Sequence, residues 1–159
     1  MGIKSAFSSP LEHMDIRIVD ASQFMPEGIR PLEIAASKES IKNISRLIQE
    51  WDLGKNLFNG VGERLLLANV NEEFVGIGGL LRCKDIPGAL RVSRFYVLPD
   101  WRNKGVATTI AQEVLKDAFK FTNCVTCNAL ASEIAGTFWE TLGFVKVEFP
   151  GITHMLKQN

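Results

Sequence analysis

The sequence predicts a mixed α/β fold of the α+β type, in which helices flank a mostly antiparallel central sheet. Three apolar, β-rich segments follow one another at 65–70, 74–81 and 90–98, and the turn residues between them favour an antiparallel meander. A long helical pattern, a short strand, a second helix and a hairpin come next. Because a helix must bury one face against a neighbouring layer, this order indicates helices packed on a sheet.

The residues before the meander predict two strands and one helix. Residues 15–19 alternate as a strand does, and residues 29–34 are expected to form a second strand after a Pro-Glu-Gly turn. Ser37 is the expected cap of an amphipathic helix, because apolar residues recur at helical spacing from Ile41 to Trp51. Gly54 is expected to end that helix.

The second half of the chain gives the clearest helix. An apolar stripe of period 3.6 predicts a helix over 104–121, and residues 124–130 predict a short strand. Ser132 is the expected cap of a further helix that Gly143 ends. Residues 144–149 and 152–156 predict the closing hairpin.

Composition excludes several classes of protein. The 159 residues contain 18 Lys and Arg against 18 Asp and Glu, so the net charge is zero and no excess of basic residues favours nucleic acid or an anionic membrane. No apolar run approaches the roughly 20 residues of a membrane helix. We therefore expect a cytoplasmic protein without a nucleic-acid or membrane partner.

The first 13 residues are polar and aperiodic, and Leu-Glu-His-Met at 11–14 is what two joined cloning sites encode. We interpret residues 1–13 as an expression-vector leader, with Met14 as the natural start. Residues 14–159 are then one domain.

The Cys124-x-x-Cys127 pair has the spacing of a metal or redox motif, but the residues between the thiols favour a strand. Residues three apart on a strand point to opposite faces. We expect packed strand thiols and no metal site.

The segment most informative about function joins the third strand of the meander to the long helix. A loop carrying Arg102 and Lys104 leads directly into a helix that has Gly105 and Ala107 near its start. The first N–H groups of a helix lack internal partners, and small residues let an anion approach them. The pattern predicts a pyrophosphate site, or else a tight turn with two solvated bases.

Residues 102–107, Arg-Asn-Lys-Gly-Val-Ala, resemble the acetyl-CoA motif Gln/Arg-x-x-Gly-x-Gly/Ala of the GNAT acetyltransferase superfamily. Residues 138–144 resemble the family's second helix, which ends in Gly-Phe, and the order of elements over 14–159 matches as well. The resemblance implies a GNAT-like acyl-CoA N-acyltransferase fold and acetyl-CoA as the co-substrate, without a metal.

The resemblance also implies which residues bind the cofactor. Backbone groups of Phe95 and Val97 would pair with the pantetheine arm, N–H groups of residues 103–108 would hold the pyrophosphate, and the strands at 90–98 and 124–130 would splay apart. The implied cofactor-binding residues are Phe95, Tyr96, Val97, Arg102, Asn103, Lys104, Gly105, Val106, Ala107, Thr108, Ser132 and Trp139.

Several residues depart from the family pattern. Ser132 and Trp139 stand where the family often has a cofactor-binding Asn and an acid Tyr, so Trp139 is expected to stack on the cofactor or to pack in the core. The usual Glu of the central strand is missing, and Cys127 stands where another branch has a glutamate base. Tyr96 is the remaining acid candidate and His154 a candidate proton relay, against plain packing of either side chain.

Arg91 and Arg94 lie on the strand before the motif, on opposite faces if alternation holds. One of them could pair with a substrate carboxylate, so we hypothesise an acceptor that carries an acid group. The alternative is one solvated Arg and one paired with an acidic neighbour.

Together these features predict an acetyl-CoA-dependent N-acetyltransferase that acts on the primary amine of a small molecule by direct attack in a ternary complex. An acyl-CoA-binding sensor with little turnover and a protein N-terminal or lysine acetyltransferase are the alternatives. A homodimer is compatible with all three readings.

Overall fold

The computed structural model describes residues 15–131 and 133–158, and within them the chain forms one mixed sheet with helices on both faces. The helices are α1 (Arg30–Lys38), α2 (Asn43–Asp52), α3 (Val106–Leu115) and α4 (Gly136–Thr141). The strands are β1 (Arg17–Asp20), β2 (Arg64–Val70), β3 (Glu73–Arg82), β4 (Leu90–Val97), β5 (Cys124–Cys127), β6 (Val145–Phe149) and β7 (Ile152–Lys157).

The sheet has the order β1-β2-β3-β4-β5-β7-β6. Neighbouring strands are antiparallel except β4 and β5, which are parallel. The expected α/β class and mostly antiparallel sheet are confirmed. No helix in residues 15–131 and 133–158 has the length and apolar character needed to cross a membrane.

Each face of the sheet has its own core. α3 and α4 cover one face, where Val106, Ile110 and Trp139 are buried. α1 and α2 cover the other, where Leu32 and Leu47 are buried. A buried aliphatic side chain contributes about 1.5–3 kcal/mol, so the two cores fix the helices on the sheet.

Gly76 lets α3 lie close to the sheet. A Cβ at this position of β3 would lie 2.9 Å from Val106 Cγ1 and 3.1 Å from Ile110 Cδ1, both on α3. Because no side chain separates helix from strand here, the first turn of α3 comes to rest beside the end of β4.

The pairing of β4 with β5 is short and leaves a cleft. Only Leu90 with Val125 and Arg91 with Thr126 are paired, so the two strands separate beyond Arg91. This confirms the expected splay. Beyond it, the open edge of β4 faces the segment that leads into α4.

A bulge interrupts β4 inside the cleft. Ile77 pairs with Tyr96 but Gly79 pairs with Ser93, and Arg94 has a φ of 63°. A bulge of this kind adds one residue to one strand and so shifts the alternation of side chains. Phe95 then faces the α3 core and Tyr96 the α1–α2 core.

Two sequence predictions before the meander are wrong. Residues 29–34 form the end of a 3₁₀ turn (Glu27–Ile29) and the start of α1 rather than a strand, because Ile29, Leu32 and Ala36 are buried on one side and Pro31 suits the first turn. Ser37 lies inside α1 rather than capping α2. The chain turns at Ser40, whose φ is 62°, and α2 begins only at Asn43.

The helix expected over 104–121 ends earlier, at Leu115, and a 3₁₀ turn follows at Ala118–Lys120. The strand expected over 124–130 ends at Cys127, and α4 begins only at Gly136. Ser132, its expected cap, and the leader at 1–13 lie outside the described residues.

Candidate functional site

The start of α3 presents free backbone donors. Its N-cap is Gly105, with a φ of 85° and no side-chain hydrogen bond at the cap. A Cβ added at Gly105 would have no heavy atom within 4 Å, so the approach to this turn is open. The first N–H groups of the helix lack internal acceptors, and the helix dipole makes this end electropositive.

A cavity of about 460 Å³, here called cavity A, lies between this helix start, the end of β4 and the segment that leads into α4. It is lined by Tyr96, Val97, Trp101, Arg102, Asn103, Gly105, Val106, Ala107, Thr108, Glu133, Ile134, Ala135, Thr137, Phe138 and Thr141. Cavity A thus brings together eight of the residues that the sequence assigned to the cofactor.

Three expected cofactor residues do not line cavity A, namely Phe95, Lys104 and Trp139. Lys104 remains next to it, with Nζ 5.4 Å from the ring centre of Trp101. Sequence reasoning missed Trp101, which directly precedes Arg102, and Phe138, which directly precedes the assigned Trp139.

Arg102 is held by Glu39, which directly follows α1. Its Nη1 and Nη2 donate to the two carboxylate oxygens at 2.9 and 2.6 Å, and the Tyr96 hydroxyl donates to Glu39 Oε1 at 2.6 Å. Arg102 also lies over the Tyr96 ring, 5.5 Å from its centre. The expected free cation beside the anion site is therefore mainly Lys104.

These contacts shift two pKa values in opposite directions. The hydrogen bond from Arg102, followed by that from Tyr96, holds the pKa of Glu39 below its ordinary value. Burial, and then the hydrogen bond to Glu39, raise the pKa of Tyr96 above its ordinary value. At neutral pH the carboxylate is charged and the phenol keeps its proton.

The open edge of β4 is partly engaged by side chains. The carbonyl of Phe95 accepts from Asn43 Nδ2 at 3.2 Å, and that of Val97 accepts from Arg102 Nε at 3.0 Å. A carbonyl oxygen has two lone pairs, so each can accept one more hydrogen bond. Two side chains thus brace the strand edge that the pantetheine arm was expected to follow.

The family comparison agrees with this arrangement. Residues 32–156 match the family described as acetyltransferase (GNAT) domain, which is well over half of the chain. The chain is a member of the GNAT acetyltransferase family. No curated protein sequence gives a significant match.

Solved GNAT structures have the same fold. A proposed acetyltransferase from Exiguobacterium sp. 255-15 is 26% identical, with a TM-score of 0.80 over 91% of this chain and 94% of that one. A GNAT acetyltransferase from Staphylococcus aureus Mu50 is 17% identical, with a TM-score of 0.66 over 91% and 100%. The PaiA N-acetyltransferase from Thermoplasma acidophilum, in complex with coenzyme A, is 18% identical, with a TM-score of 0.61 over 92% and 100%.

In this GNAT domain the residues of cavity A fit the phosphate end of an acyl-CoA. Gly105 leaves open space at the helix start, Ala107 has a small side chain that lets an anion approach the first turn, and Lys104 adds a positive charge nearby. A helix start that a side chain capped would not present these donors.

Trp139 lies in the core of the GNAT domain rather than in cavity A. Its side chain has no exposed surface, and its ring packs edge-on against Phe95, Phe138 and Phe144 at centroid distances of 5.0 to 5.3 Å. Stacking of Trp139 on the cofactor is therefore replaced by core packing, because α4 directs Phe138 and not Trp139 towards cavity A.

His154 does not reach either side of the cleft. It is 4% exposed, its Nε2 lies 2.8 Å from Glu140 Oε2, and its Nδ1 lies 2.8 Å from Thr153 Oγ1. The contact with Glu140 ties α4 to β7. The geometry gives His154 a structural position, and a role as proton relay is not supported.

A second cavity of about 330 Å³, here called cavity B, lies on the other side of the strand end. Phe95 and Trp139 line cavity B, whereas Tyr96 and Phe138, the next or preceding residues, line cavity A. The two cavities therefore lie on opposite sides of the end of β4 and of α4.

Arg91 and Arg94 both line cavity B, so their expected placement on opposite faces is wrong. The bulge at Arg94 shifts the alternation, and Arg94 reaches Glu50 of α2 at 2.9 and 3.1 Å. Of the two alternatives for this pair, Arg94 is the arginine with an acidic partner.

The two thiols of β5 are no candidate bases. Burial raises the pKa of Cys124, and it raises that of Cys127 to about 12. Both thiols are therefore protonated at neutral pH, and Cys127 packs with the core beneath α3.

Proposed function

We propose that this protein is an acetyl-CoA-dependent N-acetyltransferase that transfers an acetyl group to the primary amine of a small molecule by direct attack in a ternary complex. The observation that carries the proposal is the pair of adjoining cavities, one beside an uncapped helix start and one lined by basic side chains. The related PaiA enzyme, solved with coenzyme A, supports the choice of co-substrate.

Acetyl-CoA, when bound, supplies a thioester whose thiol has a pKa of about 8.5 and so leaves readily. The backbone N–H groups of Val106, Ala107 and Thr108 would hold its pyrophosphate, with Lys104 beside them. A backbone N–H between Phe95 and Val97 would polarise the acetyl carbonyl. The chain's part is mainly positioning, which is a large source of rate in two-substrate reactions.

The attacking amine must be neutral, whereas a free alkylamine of pKa about 10.4 is almost fully protonated at pH 7. Cavity B supplies a physical reason for deprotonation. Like charges disfavour an ammonium, and Arg46, Arg91 and Arg94 all line this cavity. Glu50, the one acidic side chain among its described lining residues, is paired with Arg94.

We assign Tyr96 to positioning rather than to proton donation. Its hydroxyl already donates a hydrogen bond to Glu39, and its pKa is raised above the ordinary value. Tyr96 therefore holds Glu39, and Glu39 holds Arg102 against the end of β4. Thiolate departure would then depend on the low basicity of the thiol itself.

A sensor that binds acyl-CoA with little turnover is the second candidate. It is favoured by the placement of three side chains: the Tyr96 hydroxyl donates to Glu39, His154 lies against Glu140, and Cys127 packs in the core. A protein-directed acetyltransferase is less well supported, because a basic peptide needs an acidic groove and cavity B is basic.

Two measurements on the purified protein test the proposal. Calorimetry with coenzyme A should show saturable 1:1 binding, and thiol release from acetyl-CoA should accelerate with at least one amine of a panel. Tight binding with no release on any amine would favour the sensor. The absence of any coenzyme A binding would contradict both candidates.

A matched pair of lysines tests the assigned pocket. Lys104→Ala should weaken coenzyme A binding several-fold, because it removes a charge at the start of α3, whereas Lys116→Ala, at the end of the same helix, should leave binding unchanged. Equal affinities in the two variants would contradict the placement of the pyrophosphate. Dimerisation and a cytoplasmic location stay predictions.

A further inference from the structure

We propose that cavity B binds the acid group of the acceptor, so that the acceptor is a small primary amine that also carries a carboxylate. This inference rests on the proposed transferase function, and it names the class of substrate for the acceptor side of the cleft. Its basis is the charge, the free hydrogen-bonding groups and the position of cavity B.

The lining of cavity B is strongly positive. Its basic side chains are Arg46, Arg82, Lys84, Arg91 and Arg94, and Glu50 is the one acidic side chain among the described residues that line it. A cluster of basic groups around so small a space repels a simple ammonium. The same cluster attracts a carboxylate, which arginine can bind through two parallel hydrogen bonds.

The arginines differ in what they can offer. Arg94 is occupied, because Nη2 donates to both oxygens of Glu50 and Nη1 lies 3.4 Å from the carbonyl of Asn43. Within the part of the chain that the structure describes, the side chains of Arg91 and Arg46 make no hydrogen bond or ion pair. Arg94 is thus a positioning residue that fixes α2 against β4, while Arg91 and Arg46 retain their donors for a ligand.

Unpaired buried atoms also gather at this cavity. Asn43 Oδ1, Arg94 Nε and Trp139 Nε1 are buried without a hydrogen-bond partner, and all three side chains line cavity B. Buried polar groups are rarely left without a partner in folded proteins. All three atoms are shielded from the open space of the cavity, so the side-chain donors that a ligand can reach are those of Arg91 and Arg46.

The position of cavity B allows the amine to reach the acyl group. Phe95 and Trp139 line cavity B and their sequence neighbours Tyr96 and Phe138 line cavity A, so a ligand whose acid group lies against Arg91 can extend along the open edge of β4. A volume of about 330 Å³ is near the lower limit of small-molecule sites, which favours a short acceptor.

Glutarate is the binding probe, because it carries carboxylates and no amine and so cannot be acetylated. Calorimetry on the full chain saturated with coenzyme A should detect glutarate, and 1,5-diaminopentane should not bind. Arg91→Ala and Arg46→Ala should each weaken glutarate about tenfold or more, the usual effect of losing a charge-assisted hydrogen bond. Arg17→Ala, at an exposed position of β1, is the matched control and should bind as the wild type does.

Turnover provides an independent test with a pair of acceptors of equal length. We expect kcat/KM for 5-aminopentanoate to exceed that for pentylamine about tenfold or more, and Arg91→Ala to abolish most of this preference through KM. Arg91→Lys should retain part of this preference, because lysine keeps the positive charge but lacks the planar guanidinium that binds a carboxylate through two hydrogen bonds. Circular dichroism verifies that each variant is folded.

No glutarate binding to the wild type, equal glutarate binding by Arg91→Ala and Arg17→Ala, or equal use of the two amines would overturn the inference. Glutarate binding that depends on Arg91, without turnover of any amine, would uphold the acid-binding site and contradict the transferase. Glutarate binding by a protein that does not bind coenzyme A would likewise uphold the acid-binding site and contradict the transferase.

Discussion

Glu39 joins parts of the molecule that are far apart in sequence. It follows α1, yet it receives hydrogen bonds from Tyr96 on β4 and from Arg102 in the loop before α3. The side chains of Glu39 and Arg102 keep 29% and 39% of their exposure, so solvent screens the pair. Its main effect is to hold the wall of cavity A rather than to stabilise the whole fold.

Glu39→Gln should lower stability modestly and in a pH-dependent way. The pKa of Glu39 is below its ordinary value in the folded protein, so its contribution is fully present above the unfolded value and is lost as pH falls through the folded value. Urea denaturation should show a loss of about 0.5–1 kcal/mol at pH 7 and a smaller difference from the wild type at acid pH, where the carboxyl takes up a proton. A difference that grows on acidification would contradict the ion pair.

Tyr96→Phe distinguishes positioning from proton donation. Loss of an essential general acid costs about 10²–10⁴-fold in rate, whereas loss of one hydrogen bond to Glu39 should lower kcat less than about tenfold. Steady-state kinetics with acetyl-CoA checks this. The shape of the pH–rate profile should stay that of the wild type, and a hundredfold drop with the loss of a falling limb at alkaline pH would reinstate Tyr96 as the acid.

At the scale of elements, the start of α3 is the part that function depends on most. Gly105 has a left-handed φ of 85°, where an L-residue costs about 1–2 kcal/mol even in open space. Gly105→Ala should therefore destabilise the protein by about 1 kcal/mol and weaken coenzyme A severalfold, as the turn relaxes away from its donor geometry.

Gly88 offers a matched control for this prediction. It lies in the turn between β3 and β4 with a φ of 82° and equally open surroundings. Gly88→Ala should lose similar stability in thermal or urea unfolding while calorimetry shows unchanged coenzyme A affinity. Equal losses of affinity in both variants would indicate a general effect of strain and not a specific role for Gly105.

The sequence predicts elements well where local patterns determine them. α3 has a continuous apolar stripe, and the β2–β3 hairpin places Asn71 and Glu72, both with positive φ, in its two-residue turn. α1 is different, because its apolar residues also fit a short strand and only packing on the sheet decides between them. The bulge at Arg94 has no local signal, since it arises from pairing with β3.

In the candidate site, too, features set by a local pattern were predictable and features set by long-range packing were not. The anion-binding helix start was predictable, because its determinants lie within residues 102–108. Glu39 and cavity B were not, because Glu39 meets Arg102 across 63 positions and Arg94 meets Glu50 across 44. Contacts at such separations depend on how the helices lie on the sheet, which no short pattern encodes.

At the scale of the whole molecule, a net charge of zero coexists with a strongly basic cavity. Neutrality excludes a general attraction for polyanions, and it leaves room for a local field that acts on one bound amine. Arg91 and Arg46 line cavity B, so under the proposed function they would lower the pKa of that amine, and the acid group of the proposed acceptor would offset part of their effect.

The positive charge around cavity B should affect the pH dependence of turnover. Below the pKa of the free amine, about 10.4, kcat/KM should rise about tenfold per pH unit as the neutral form grows. The kcat profile, which reports the bound amine, should level off at lower pH in the wild type than in Arg91→Ala, because removal of a cation makes the ammonium easier to keep. No falling limb is expected near pH 10, since burial raises the pKa of Tyr96 above that value. A flat kcat/KM between pH 6 and 9 would show instead that a protein base removes the proton.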